Sequence, residues 1–207
     1  MFRRKILIAG LLPLLALPLM GDSCTEDKVI FIAVGLDTTA GFIASGELNI
    51  HDDTKTIDVK EDMDLETVLD DNDIDPEDIQ SVKVSRVYYR VTVPEAGRSI
   101  ENGNVEILRN GVTSSVPLIT GFSGDGSAGT DWIEITNLLQ PQAVNLLNDF
   151  MQELLNELQG GAPVSNTLFT YHVTGNSIPA DVPTNFQWEL KVSFNVQAEQ
   201  EVEVPNF

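Results

Sequence analysis

The segment Phe186-Gln-Trp-Glu-Leu-Lys-Val-Ser-Phe-Asn-Val196 decides the fold class of this chain. Large apolar residues alternate with polar ones along its whole length. Successive side chains of a β-strand point to opposite faces, so one face of this segment is apolar and the other is polar. That pattern is typical of an antiparallel strand with one face on a hydrophobic core and the other in water. The segment therefore predicts a half-buried antiparallel strand.

A second long strand is predicted from Ser81 to Val93, and its apolar residues change phase near Arg86, which indicates a β-bulge. Turn signals such as Asn102-Gly103 and Asn110-Gly111 separate shorter apolar runs, a spacing typical of a sandwich or barrel. The shorter candidates are 29–34, 44–50, 56–59, 104–108, 116–120, 132–136, 168–174 and 201–204. We predict a mainly β protein, an antiparallel β-sandwich that is immunoglobulin-like in its general architecture.

One segment, Pro141 to Leu158, has the period of a helix, with apolar residues three and four positions apart. Pro141 suits a first helical turn, and Gly160-Gly161 suits the left-handed conformation that ends helices. The opposite face is polar and acidic. We predict one amphipathic helix packed at an end or face of the sandwich, and contact of its leucine stripe with a partner or lipid is the alternative.

The N-terminus has the order of an export signal. A basic cluster at residues 3–5 precedes the apolar stretch 6–20, which is too short to cross a bilayer core of about 30 Å as a helix. The only cysteine, Cys24, follows directly. This arrangement resembles a bacterial lipoprotein, in which a signal peptidase cuts before a cysteine that then carries lipid. Ordinary cleavage after Gly21 or Ser23 is the alternative.

The resemblance implies a signal peptide at 1–23, lipid on Cys24, and a mature chain, 24–207, that we interpret as a single domain. It also implies attachment to the outer membrane, at its periplasmic face or at the cell surface; without lipid the protein would be periplasmic or secreted. The formal net charge is −20, which disfavours nucleic acid as a partner. The expected partners are the membrane, through the N-terminal lipid, and an envelope or surface protein.

Acidic residues crowd the region 51–78, which we interpret as an acidic loop. Within it, Asp71, Asp73 and Asp75 alternate in a way that could bring three carboxylates to a calcium ion. The EF-hand pattern fails, because Pro76 stands where that loop needs glycine and Val82 where it needs glutamate. Calcium is thus the one candidate cofactor, and the alternative is a solvated loop in which Asp75 caps a turn.

The polar phase of the strand Ser81–Val93 carries Arg86, Tyr88 and Arg90. Arginines flanking a tyrosine can pair with carboxylates of the same chain, or they can contact an acidic or carbohydrate ligand or a partner. The first interpretation is favoured by the high acidic content. The two tryptophans, Trp132 and Trp188, both fall in core phase, so the sequence offers little for an aromatic sugar platform.

Residue patterns for catalysis are missing from the sequence. The glycine-rich stretch 121–129 does not have the spacing of a serine nucleophile turn, and neither His51 nor His172 has a recognisable partner. We therefore predict a non-catalytic binding or structural module. Two alternatives stay open: a polysaccharide hydrolase that uses paired carboxylates, and a carrier of apolar ligands with a cavity under the helix residues Leu147, Phe150, Met151 and Leu154.

Overall fold

The structure is a computed structural model that describes residues 25–45, 51–126, 129, 131–180 and 185–205. The predicted leader and Cys24 lie outside these residues. Backbone contacts divide the chain into two units, residues 1–28 with 201–207, and residues 29–200. The described parts of the first unit, 25–28 and 201–205, are extended strand.

Eight strands and three α-helices make up the described chain, and single 3-10 turns lie at Pro76–Asp78 and Thr136–Leu138. In chain order they are β1 (Thr25–Ser45), β2 (His51–Asp58), α1 (Val59–Met63), α2 (Leu65–Asp71), β3 (Ile79–Val93), β4 (Ser99–Arg109), β5 (Val116–Asp125), β6 (Ile133–Glu134), α3 (Pro141–Leu158), β7 (Leu168–Ile178) and β8 (Asn185–Pro205).

The strands form two four-stranded sheets, sheet I with the order β1-β8-β3-β6 and sheet II with the order β2-β7-β4-β5. The first strand is therefore next to the last, the second next to the seventh, the third next to the sixth and the fourth next to the fifth. These are the pairings of one long antiparallel ribbon folded over into two sheets, which is the eight-stranded jelly roll. The predicted antiparallel β-sandwich is confirmed, and the strand order specifies which kind of sandwich it is.

The alternation in the deciding segment is confirmed in β8. Five apolar side chains are almost completely buried: Trp188, Leu190, Val192, Phe194 and Val196. The side chain of Phe186 lies outside the described residues. The predicted bulge in β3 is also present, because the pairing of β3 with β8 shifts register between Val84 and Arg86. Beyond this bulge the residues Arg86, Tyr88 and Arg90 share the outer face of sheet I.

Helix α3 has the predicted bounds and packs where the two sheets end. Its residues Leu147, Phe150 and Met151 have no exposed surface. The Phe150 ring contacts Phe169 of β7 edge to face at 4.9 Å, and the backbone N–H of Val84 in β3 donates to Asn148 Oδ1 at 2.8 Å. The helix therefore contacts both sheets, and Gly160, with φ of 86°, follows its end as predicted.

The structure corrects several details of the sequence interpretation. β1 is one continuous strand over a stretch for which two strands, 29–34 and 44–50, were predicted; residues 46–50 lie outside the described chain. The acidic region 51–78 is not a loop, since it contains β2, α1 and α2. These helices are too short to show a helical period in the sequence. Asn102-Gly103 is not a turn but an irregularity within β4, where Asn102 has φ of 53°.

Candidate functional site

The arginines and the tyrosine singled out in the sequence lie in a row on β3, and each has a β8 residue beside it. Arg86 is paired in register with Ser193, Tyr88 with Lys191 and Arg90 with Glu189. Residues opposite each other in an antiparallel pair lie on the same face, close enough for their side chains to interact. The cross-strand neighbours therefore decide what each of the three predicted residues does.

Arg90 is paired within the protein, as the favoured interpretation of the sequence has it. Its Nε donates to Glu189 Oε2 at 2.7 Å, and Nη2 lies at the same distance from that oxygen. The guanidinium also lies over the Trp132 ring, 4.4 Å from its centroid. Both contacts hold the side chain flat against the sheet, so Arg90 has a structural role on this face.

Lys191 connects the two aromatic residues of this face. Its Nζ lies 4.7 Å from the ring centroid of Tyr88 and 4.7 Å from that of Trp132, and 3.4 Å from Asp37 Oδ2 on β1. Trp132 is thus not a core residue, which corrects the prediction from its phase. It directly precedes the two-residue strand β6, which is too short for alternation to assign a face.

Arg86 differs from its neighbours because it is exposed and has no ion pair among the described residues. Its Nη1 donates to the Tyr88 hydroxyl oxygen at 3.2 Å. This hydrogen bond, with smaller contributions from the charges of Tyr88 and Glu134, raises the pKa of Arg86 above its ordinary value. The guanidinium is therefore charged at every physiological pH and keeps most of its donors for solvent or a ligand.

A shallow open depression lies on this face across β1, β8 and β3, and we call it the trough. It is lined by Gly35, which has no side chain, by Ser85, Ser193 and Phe194, and by the longer polar side chains of Asp37, Arg86, Tyr88, Lys191 and Asn195. A side chain added at Gly35 would meet no atom within 4 Å, so the trough is open at that point. Ser193 Oγ donates to Asp37 Oδ1 at 2.5 Å, which fixes the carboxylate at one side.

Asp71, Asp73 and Asp75, which we call the acidic triplet, lie at the end of α2 and in the segment that leads into the following 3-10 turn. No group of three or more His, Cys, Asp or Glu side chains that could hold a metal ion occurs among the residues that were described. Asp75 instead caps the 3-10 turn by accepting a hydrogen bond from the backbone N–H of Glu77 at 3.0 Å. Asp71 ends α2, and Asp73 has φ of 55°. The structure thus does not bring Asp71, Asp73 and Asp75 together.

Other carboxylates of the region 51–78 are hydrogen-bond acceptors within the fold. Asp62 Oδ2 accepts from Thr38 Oγ1 at 2.7 Å and from the backbone N–H of Thr39 at 2.9 Å. Asp53 Oδ2 accepts from the backbone N–H of Ile43 at 2.9 Å. The first two contacts connect α1 to β1 and the third connects β2 to β1, so this acidic region anchors an edge strand of sheet I.

Of the two histidines, the structure describes the side chain of His172, which is paired with a carboxylate. His172 lies on the exposed face of sheet II, where its Nε2 is 2.8 Å from Asp52 Oδ1. Its cross-strand neighbour on β2 is Thr54, and that of Asp52 on β7 is Thr174. The side chain of His51 lies outside the described residues. This pairing of His172 was not visible in the sequence, because its partner comes from the neighbouring strand β2.

The residues of α3 under which a ligand cavity was considered are buried: Leu147, Phe150 and Met151 have no exposed surface and Leu154 is 3% exposed. A cavity does lie beside the last turns of α3, lined by Lys60, Asp64, Leu65, Glu66, Leu154, Glu157 and Leu158. It is open to solvent, and a salt bridge of 2.7 Å between Lys60 and Glu157 borders it. Of the four residues named for a carrier cavity, only Leu154 contributes to it.

Fold and site together define a jelly-roll β-sandwich with a polar and aromatic trough on one sheet. No family model and no curated protein matches the chain. A solved structure, the crystal structure of the decameric BFDV capsid protein, is similar over 83% of this chain and 100% of that chain, with 10% sequence identity and a TM-score of 0.34. A likeness of this size carries no functional argument. None of the described helices is long and apolar enough to cross a membrane.

Proposed function

We propose that this chain is an exported, lipid-anchored, non-catalytic binding module of a bacterial envelope or cell surface. The observation that carries the proposal is the order of the N-terminus: a basic cluster, a short apolar stretch, and then Cys24, the only cysteine of the chain. An isolated free thiol near the start of an exported protein is unusual, whereas a lipid on that sulfur gives the residue a role.

The β3 face with Arg86, Tyr88 and Arg90 is the ligand or partner contact in this proposal. Two of its cations, Arg90 and Lys191, are held by carboxylates and aromatic rings of the same face. Arg86 keeps free donors at the surface. Because Arg90 and Lys191 are already held in place, they lose little side-chain entropy when a ligand binds beside them. This is the arrangement expected of a preorganised contact.

The test is to express the full-length protein with a C-terminal tag in a bacterium and to measure intact mass and membrane association on one preparation. We expect a mass that corresponds to cleavage before Cys24 with attached lipid, and loss of both lipid and membrane association in Cys24→Ala. A single acyl chain binds membranes only marginally, so stable association requires more than one chain on the processed N-terminus. Unchanged processing and membrane association of Cys24→Ala would contradict the proposal.

Binding is tested by pull-down from detergent-solubilised envelopes with the same tagged protein. We expect a defined envelope component that is retained by the wild type and lost from Arg86→Ala. Lys55→Ala, an exposed cation on β2 of sheet II, is the control and should retain that component. Equal recovery with both variants would exclude this face as the contact.

A further inference from the structure

The trough carries a charge opposite to that of the chain around it. The ionised residues that line it are Arg86, Lys191 and Asp37, which gives a local net charge of +1. The whole chain has a formal net charge of −20. Because like charges repel over about 10 Å at moderate ionic strength, an anion is disfavoured near most of this surface and favoured at the trough.

The donors available in the trough match a planar anion. Lys191 is 3.4 Å from Asp37, so the positive charge left over is that of Arg86. Its guanidinium is a planar fork that forms paired hydrogen bonds with a carboxylate. The Tyr88 hydroxyl accepts from Nη1 and sets the orientation of this fork. Among the lining residues one excess positive charge matches one carboxylate. Glu134, opposite Tyr88 on β6, adds a negative charge near Arg86, which together with Asp37 disfavours a dianion.

The remaining lining groups are those that recognise a saccharide. Asp37, Ser85, Ser193 and Asn195 supply carboxylate, hydroxyl and amide groups that can exchange hydrogen bonds with sugar hydroxyls. The half-buried Tyr88 ring adds apolar surface beside these groups, and Lys191 Nζ lies 4.7 Å from its centroid on one side. The depression is open and extends across three strands, which suits a short section of a polymer chain better than an enclosed small molecule.

We propose that the trough binds a carboxylate-bearing saccharide, a uronic acid residue within a polysaccharide, with its carboxylate on Arg86 and its ring against Tyr88. The assignment rests on the proposed function, because it names the ligand class of the same binding face. The Tyr88 ring and the polar groups distinguish it from a site for a simple anion, which would need the positive charge alone.

The experiment is isothermal titration of the full-length detergent-solubilised protein with trigalacturonate, and with its methyl ester as the neutral counterpart. We expect saturable binding of the acid at or below about 1 mM and binding at least about tenfold weaker for the ester. Arg86→Gln should weaken binding of the acid by about tenfold or more. Acetate, which has the carboxylate without the sugar, should not compete at a comparable concentration.

Gly35 and Gly41 provide a matched pair of variants. Both are exposed on β1 and lie on the same face, and a side chain at either position has room, since the nearest atom at Gly41 is Glu189 Cγ at 3.8 Å. Gly35→Leu fills the trough and should weaken trigalacturonate binding about tenfold, whereas Gly41→Leu should change it by less than about twofold. Circular dichroism melting of each variant checks that the fold is intact.

Several outcomes would overturn the assignment. Absence of saturable binding up to about 10 mM would exclude this ligand class for the trough. Equal affinity for the acid and the ester, or binding unaffected by both Arg86→Gln and Gly35→Leu, would place recognition elsewhere. Lipid on Cys24 and envelope pull-down are measured separately, so the proposed function stands or fails independently of this result.

Discussion

Replacement of Phe150 by alanine is the most direct test of how α3 is held in the fold. Phe150 lies where three elements meet: its ring contacts Phe169 of β7, and the Arg109 guanidinium of β4 lies over it, 4.9 Å from the centroid. It has no exposed surface. A buried phenylalanine side chain removes about 150 Å² or more from water, which at about 25 cal/mol per Å² corresponds to about 4 kcal/mol.

We therefore expect Phe150→Ala to lower the free energy of unfolding by about 3–5 kcal/mol, in the range observed for large-to-small changes in cores. For a chain of this size that corresponds to a fall in Tm of about 6–20 °C. Phe150→Leu keeps much of the volume and should cost about 1.5 kcal/mol or less. Asn145→Ala, on the exposed face of the same helix, should change stability by less than about 0.5 kcal/mol.

Urea denaturation followed by circular dichroism measures these differences, with the slope of the transition checked for each variant. A loss of less than about 1 kcal/mol in Phe150→Ala, at an unchanged slope, would refute the packing argument. It would mean that Phe150 borders an unfilled cavity between α3 and the sheets, as a carrier of apolar ligands requires. In that case an apolar probe such as a fatty acid should raise the Tm of the wild type.

Further predictions concern charge and metal. The hydrogen bond from Arg109 lowers the pKa of Glu153. The stability that this pair contributes is therefore complete above the ordinary pKa of glutamate and is lost as the pH falls through the lower pKa of the folded protein. The fall in Tm on the acid side should accordingly be smaller in Glu153→Gln than in the wild type. Asp62→Ala should cost about 1–3 kcal/mol in urea denaturation, because it leaves a buried threonine hydroxyl on β1 without its acceptor, whereas Asp70→Ala should cost about 0.5 kcal/mol or less. Millimolar calcium should leave the Tm unchanged; a rise that Asp73→Asn removes would show that the acidic triplet binds the ion after all.

The elements that the sequence predicts best are those with a long uninterrupted period. β8 and α3 each repeat their pattern often enough to fix the type of element and its buried face. The helices α1 and α2 were not predicted, because their five and seven residues make too few turns for a helical period to be recognised in the sequence. Their start is nevertheless encoded locally, since Asp58 accepts from the backbone N–H groups of Lys60 and Glu61.

The pairing of the strands could not be predicted from the sequence alone. β1 lies beside β8 and β2 beside β7, and these pairs are separated by most of the chain. Alternation gives each strand a buried face but contains no information about its neighbour. The turn signals allowed several sandwich topologies. The jelly roll follows only when the pairing of all the strands is known.

Only the part of the candidate site that lies on β3 could be predicted from the sequence, for the same reason. Arg86, Tyr88 and Arg90 are on one strand, so their common exposed face follows from spacing of two residues and the bulge before them. Lys191 and Asp37 come from other strands of sheet I and join them only through pairing. Lys191 and Asp37 line the trough together with Arg86 and Tyr88, and their charges contribute to its net charge.

The acidic residues of the chain affect this trough in two ways, through hydrogen bonds and through their negative charge. Asp53 and Asp62 accept hydrogen bonds from β1 and so hold the strand that contributes Gly35 and Asp37 to the trough. The remaining carboxylates give the molecule its negative field. Residues 24–207 contain nine basic residues, and Arg86, Arg90 and Lys191 all lie on one face of sheet I. Because the field disfavours anions near most of the surface, the trough can select an acidic saccharide by position as well as by contact.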